Sequence, residues 1–262
     1  MNRIDSAFKS AKAESRLVLA PYVTVGYPTR ESAVELALAY VEAGADMLEI
    51  GMPFSDPIAD GPTVQLASQI ALERGVWLED AFRLIERIRS QTDIPLALMG
   101  YANPFMQFGF GALSRESSAA GADGLIVPDV LPEQAHDIEA ANAEHGLHFI
   151  RFAAPTSPLE RLRQIGQGAR GFIYCVSVTG VTGSRAELSE SLPAYLARVG
   201  KATSIPRVVG FGISRPEHLR SLHGRAEGAI VASALIDLVQ ASPPGQGVEA
   251  AAAHVRSLAA AA

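Results

Sequence analysis

The chain has 262 residues, a net charge of −6 and a single cysteine, Cys175. One cysteine excludes a disulfide framework and a thiolate metal cluster, and dispersed charges of both signs offer no basic face to nucleic acid. No uninterrupted apolar span is long enough for a bilayer, and the start M-N-R-I-D-S-A-F-K-S lacks a secretory apolar core, so a soluble cytoplasmic protein is expected.

In chain order, residues 5–14 read as an extra helix. A strand follows at 17–25 (LVLAPYVTV), then a helix at 31–44 with apolar residues at helical spacing and Gly44 as its C-cap. The second strand is 47–51 (MLEIG). A loop rich in Gly and Pro leads to a helix near Thr63, and another lies at 81–90, with Phe82, Ile85 and Ile88 among its apolar residues. Strands are expected at 95–101, 124–128 and 148–153. The segment 157–166 reads as a helix with Ser157 as N-cap and Pro158 at the first position. Strands at 171–178, 207–211 and 228–232 complete the set, with helices at 194–202 and 217–224 before the last two. The Ala-rich tail 248–262 is helical, set off by S-P-P-G-Q-G.

Near-continuous apolar strands suit a parallel sheet covered on both faces. Eight of them alternating with helices predict a (β/α)8 TIM barrel over residues 1–262 as one domain, with the extra N-terminal helix on its floor. An open doubly wound sheet is the alternative, although V-T-V-G-Y-P-T after the first strand lacks the glycine pattern of a nucleotide turn.

In a barrel the chemistry sits at the C-terminal ends of the strands. Residues 48–62 read L-E-I-G-M-P-F-S-D-P-I-A-D-G-P. Strand alternation puts Leu48 and Ile50 toward the helices and Glu49 inside, near the top. A carboxyl in apolar surroundings has a raised pKa and can serve as a general acid or base. The competing reading is a structural Glu paired with an Arg or a backbone amide, for which only Arg151 stands near a strand end. Asp60 ends a loop stiffened by Pro53, Pro57 and Pro62; it suits a carboxylate held over the mouth, or equally an Asp-Gly turn or a helix N-cap. Asp56 reads as a turn or surface residue. Small residues mark three later strand ends, V-T-G-V-T-G-S-R (178–185), V-G-F-G-I-S (209–214) and I-V-A-S-A (230–234), and their backbone N–H groups suit a phosphate.

The three lysines, Lys9, Lys12 and Lys201, precede the first strand or end a helix on the floor side, so none is placed for a Schiff base. The six histidines fall nearly all in helices or at strand starts, so no metal cluster is expected at the mouth. Chemistry is left to carboxylates and backbone dipoles.

These segments, with P-Y-V-T-V-G-Y-P (21–28), L-M-G-Y-A-N-P (98–104), V-P-D-V (127–130), G-V-T-G (180–183) and G-F-G-I-S (210–214), resemble the tryptophan synthase α subunit along nearly the whole chain. The resemblance implies a lyase that cleaves indole-3-glycerol phosphate to indole and glyceraldehyde 3-phosphate. It implies Glu49 as the acid/base and Asp60 as the carboxylate near the indole N–H. Tyr22, Val64, Met99, Tyr101, Tyr174, Phe211 and Ile230 match the substrate wall, and Thr182 the closing-loop threonine that positions Asp60. Gly183, Gly212 and Ser233 match phosphate-binding positions, with Ala232 standing where the family usually has Gly. P-D-V-L-P-E likewise replaces the commoner P-D-L-P-P-E. The expected partner is a β chain in an α2β2 complex, with the Pro53–Asp60 loop as the contact; pyridoxal phosphate is expected in that partner and no cofactor in this chain. A free-standing lyase that releases indole, and a regulatory subunit that binds a phosphorylated ligand without turnover, are the alternatives.

Overall fold

The eight apolar segments form eight parallel strands: β1 (Val18–Thr24), β2 (Leu48–Gly51), β3 (Leu96–Met99), β4 (Gly124–Ile126), β5 (His148–Ala153), β6 (Ile173–Val176), β7 (Arg207–Gly210) and β8 (Gly228–Val231). Each pairs with the next in chain order, and β8 returns to β1 to close a barrel. The computed structural model describes residues 1–177, 191–210 and 212–262, so the predictions for Thr182, Gly183 and Phe211 lie outside the described residues. The open-sheet alternative is excluded by the closure.

Strand alternation divides the apolar residues between two cores. Leu19, Val23, Leu48, Ile50, Leu98, Leu125 and Val209 pack outward against the helices. Val18, Ala20, Met47, Ala97, Ile126, Ile150 and Val208 fill the barrel axis. The interior is thus packed solid below the mouth, as the fold requires. Pro21 has no N–H to give a ladder. It falls where β1 hands over from β8, paired through Val18–Pro21, to β2, paired through Tyr22–Thr24.

The helices are α1 (Arg3–Ala13), α2 (Arg30–Glu42), α3 (Pro62–Glu73), α4 (Leu78–Arg89), α5 (Ala102–Phe108), α6 (Phe110–Ala120), α7 (His136–Glu144), α8 (Leu159–Gly166), α9 (Leu192–Ala202), α10 (Pro216–Leu222), α11 (Ser233–Ala241) and α12 (Gly247–Ala259). The expected floor helix is α1. Its Ile4 and Phe8 enter the inner core, with the Phe8 ring 5.8 Å from that of Phe172. Asn2 caps α1 by accepting the Ile4 N–H at 2.9 Å and ties it to the floor by donating to the Asp123 carbonyl at 2.8 Å. No helix among the described residues is long and apolar enough to cross a membrane.

The helix ends shift from their expected positions by up to three residues, and the caps of two helices change with them. α8 begins at Leu159 with Pro158 as its N-cap. Ser157 instead closes the preceding turn: its N–H reaches the Ala154 carbonyl at 2.9 Å and its Oγ accepts the Ala154 N–H. α2 stops at Glu42 with Ala43 as C-cap, and Gly44 follows at φ +99°, the left-handed position after the cap.

Candidate active site

Glu49 points into the barrel near its upper end. In register it stands between Tyr22 on β1 and Ala97 on β3, and the small Ala97 side chain leaves it room. It is 2% exposed, and its Oε2 atom has no hydrogen-bond partner. The salt-bridged alternative is not realised. Arg151 is engaged by Glu139 at 2.8 and 2.9 Å and by the Ile165 and Gln167 carbonyls. Burial first, and the neighbouring Asp60 charge second, raise the Glu49 pKa from 4.5 to about 8. At neutral pH this side chain is therefore a carboxylic acid in an apolar shaft, the form that can donate a proton.

Asp60 is held by the loop that precedes α3. The loop folds on itself through Ile58 N–H to Asp56 and Asp60 N–H to Pro57, both 3.0 Å. Tyr101 pins it from behind. Its hydroxyl accepts the Ala59 N–H at 3.1 Å and hydrogen-bonds the Asp60 carboxylate, while the Phe54 ring stacks on it at 5.3 Å. The N-cap of α3 is Gly61, with Pro62 opening the helix, so the Asp60 carboxylate is not spent on capping. Burial raises its pKa from 3.8 to about 6, against the opposing pull of the Tyr101 hydrogen bond. Asp56 is exposed and bonds Ser55, as a turn residue does.

Glu49 and Asp60 line one and the same cavity, a concave site with a few convergent polar groups in a mostly apolar wall. Of the predicted wall, Tyr22, Val64, Met99, Tyr174 and Ile230 face it, and Tyr101 stands behind Asp60. Of the predicted phosphate residues, Gly212, Ala232 and Ser233 line the same cavity. Gly212 is left-handed at φ +80°, the conformation only glycine adopts freely. Ala232 is the N-cap of α11 and Ser233 its first residue, so the free N–H groups of that helix end open at the cavity's β8 side.

Sequence reasoning missed Ala59, Pro128, Phe152 and Ile213, which also line the space. Phe152 was legible in principle: in β5 it alternates with Ile150 on the inner face, and it stacks on Tyr174 at 4.6 Å. Two glycines make the aromatic placement possible. A Cβ on Gly51 would sit 1.8 Å from the Tyr22 hydroxyl, and one on Gly210 would sit 2.2 Å from the Tyr174 ring. Burial, followed by the two carboxylates, raises the pKa of both phenols well above the ordinary value, so they remain neutral walls.

Lys9 and Lys12 lie on α1 at the floor and Lys201 in the last turn of α9, so no lysine reaches the cavity. Among the described residues no group of three or more His, Cys, Asp or Glu is gathered as a metal site. Cys175 is a buried core thiol whose pKa is pushed up to about 12 by burial.

Comparison with known proteins places this architecture. The tryptophan synthase alpha chain family model matches residues 8–262. The chain is 51% identical to a tryptophan synthase alpha chain of Roseiflexus sp. (strain RS-1), covering 98% of this chain and 99% of that one. It is 46% identical to the corresponding chain of Chloroflexus aurantiacus, over 98% and 97%. A solved tryptophan synthase of Mycobacterium tuberculosis superposes with a TM-score of 0.92 at 36% identity, covering 99% of this chain and 98% of that one. The chain belongs to the tryptophan synthase alpha chain family.

Proposed function

We propose that two carboxyl groups tuned to opposite protonation states carry out the family's reaction in this cavity. The chain is a carbon–carbon lyase of tryptophan biosynthesis that cleaves indole-3-glycerol phosphate to indole and glyceraldehyde 3-phosphate. The observation that carries the residue assignment is geometric: Glu49, buried with Oε2 unpartnered, and Asp60, held by Tyr101, line one cavity, and burial raises the Glu49 pKa further than that of Asp60.

Indole leaves only after C3 of the ring is protonated. Glu49 delivers that proton, and the ring nitrogen lone pair takes up the charge as an indoleninium cation. The Asp60 carboxylate, fixed by Tyr101, lies against N1 and stabilises the cation. Glu49, now ionised, takes the proton from the glycerol hydroxyl next to the ring. The C–C bond breaks, its electron pair returns to the ring to give indole, and the oxygen left behind becomes the aldehyde of glyceraldehyde 3-phosphate. The net proton moves from hydroxyl to C3, and Glu49 ends as it began. The phosphate rests on the backbone of Gly212 and the N-terminus of α11, where Ser233 adds a hydroxyl. Tyr22, Tyr174 and Phe152 enclose the ring and exclude water.

The decisive experiment is an indole-release assay on Glu49→Gln. Cleavage should vanish while a substrate analogue still binds; turnover at the wild-type rate removes Glu49 from the mechanism.

The same reading includes a β-chain partner in an α2β2 complex, carrying the pyridoxal phosphate. Support comes from the family and from the loop beside the site, whose Ile58 is 75% exposed. Indole release by the chain with and without an added β chain separates this from the free-standing lyase. A cytoplasmic location belongs to the proposal too, resting on the family's biosynthetic role and testable by cell fractionation.

A further inference from the structure

The loop after β7 supplies Gly212 and Ile213 to the cavity wall, and the peptide groups at its far end are held by two histidines from different helices. The Ser214 N–H donates to His218 Nδ1 at 3.2 Å, and His254 Nε2 lies 3.0 Å from the Ser214 carbonyl. His218 is the third residue of α10, whose N-cap is Arg215, so its ring reaches back past the N-cap to the residue before it. His254 comes from α12. The two contacts fix the ring roles. His218 Nδ1 carries a lone pair, because it accepts; His254 Nε2 carries the proton, because a carbonyl can only accept. Ser214 and His218 are both buried. Removing either ring would leave a backbone polar group without that partner in an apolar setting.

We infer that His218 and His254 are positioning residues that clamp Ser214 and so set the Gly212–Ile213 backbone that receives the anionic end of the substrate. This rests on the reading above that the phosphate lies on the Gly212 and Ser233 side. Neither ring lines the cavity, so neither touches substrate. Gly212 has the wide conformational range of glycine and sits at φ +80°, so its placement depends on what anchors the residues after it. Loss of an anchor should loosen the grip on phosphate and leave the carboxylate chemistry alone, because Glu49 and Asp60 stand on β2 and the loop after it.

The test uses the full-length chain in indole-release kinetics, with inorganic phosphate and glycerol phosphate as competing probes. His218→Leu should raise KM and both inhibition constants about tenfold, with kcat changed less than about threefold. His218→Asn, whose Oδ1 occupies the position of Nδ1 and can accept the same N–H, should restore KM to within about threefold of wild type. His254→Leu, at a half-buried site, should raise KM several-fold, and His254→Gln, whose amide N–H can donate to the same carbonyl, should recover it; this pair carries the test if His218→Leu does not fold. A folded leucine variant with wild-type KM and inhibition constants, or one that loses kcat alone, overturns the clamp. Failure of phosphate and glycerol phosphate to compete in the wild-type chain overturns the phosphate placement itself.

Discussion

Replacing Glu49 with glutamine should change how the stability of the fold responds to pH. In the folded chain the carboxyl titrates at about 8; in the unfolded chain it returns to 4.5. Below 4.5 both states hold the proton and burial of the acid carries no ionic penalty. Between 4.5 and 8 the unfolded state sheds a proton that the folded state keeps, so stability falls as pH rises. Above 8 both are ionised and the loss levels off. Integrating the two titrations from about pH 5 to about pH 8 gives about 3–4 kcal/mol, a large share of the roughly 5–15 kcal/mol that holds a typical domain together. Glutamine does not titrate, so the variant's stability relative to wild type should climb by that same amount, about 3–4 kcal/mol, across that range. Its offset at pH 5 absorbs the burial of the amide. Urea unfolding of both proteins at several pH values, with equal m-values as the control, measures the difference. A difference that stays constant with pH would refute the claim that the folded protein holds Glu49 protonated.

Gly210→Ala should displace the Tyr174 ring, which lies 2.2 Å from where the new methyl would sit, and unstack it from Phe152. A cost of about 1–3 kcal/mol is expected in thermal or urea unfolding, together with reduced kcat/KM; wild-type values of both would show that the ring has free room. Tyr101→Phe removes the acceptor of the Ala59 N–H and the donor that lowers the Asp60 pKa. The acid limb of the kcat profile should therefore move to higher pH, with about 1–2 kcal/mol of stability lost. An unmoved acid limb would separate Asp60 from that limb.

The barrel was legible because its signal is periodic. Leu48, Glu49 and Ile50 alternate between helix layer, interior and helix layer, and the one acid in that run lines the candidate cavity. Asp60 was half legible: the prolines around it signal a stiff loop, but whether the carboxylate caps α3 or faces the cavity is decided by Gly61 and by Tyr101, far along the chain. α5, α6 and α7 are absent from the expected elements, and for α6 the reason is visible. Ser114 and Ser117 are wholly buried in α6, so its inner face reads as polar, and Ser114 meets its partner Asn142 only in the fold, at 2.7 Å. His218 and His254 carry no local signal at all. Helical histidines look like surface residues until tertiary packing brings both to the same Ser214 peptide groups.

The stopper formed by Ile4 and Phe8 turns the barrel into a well rather than a pipe. Nothing passes down its axis, so reactant entry and product departure share the upper rim. Whatever seats itself on that rim lies across the way into and out of the cavity that Glu49 and Asp60 line.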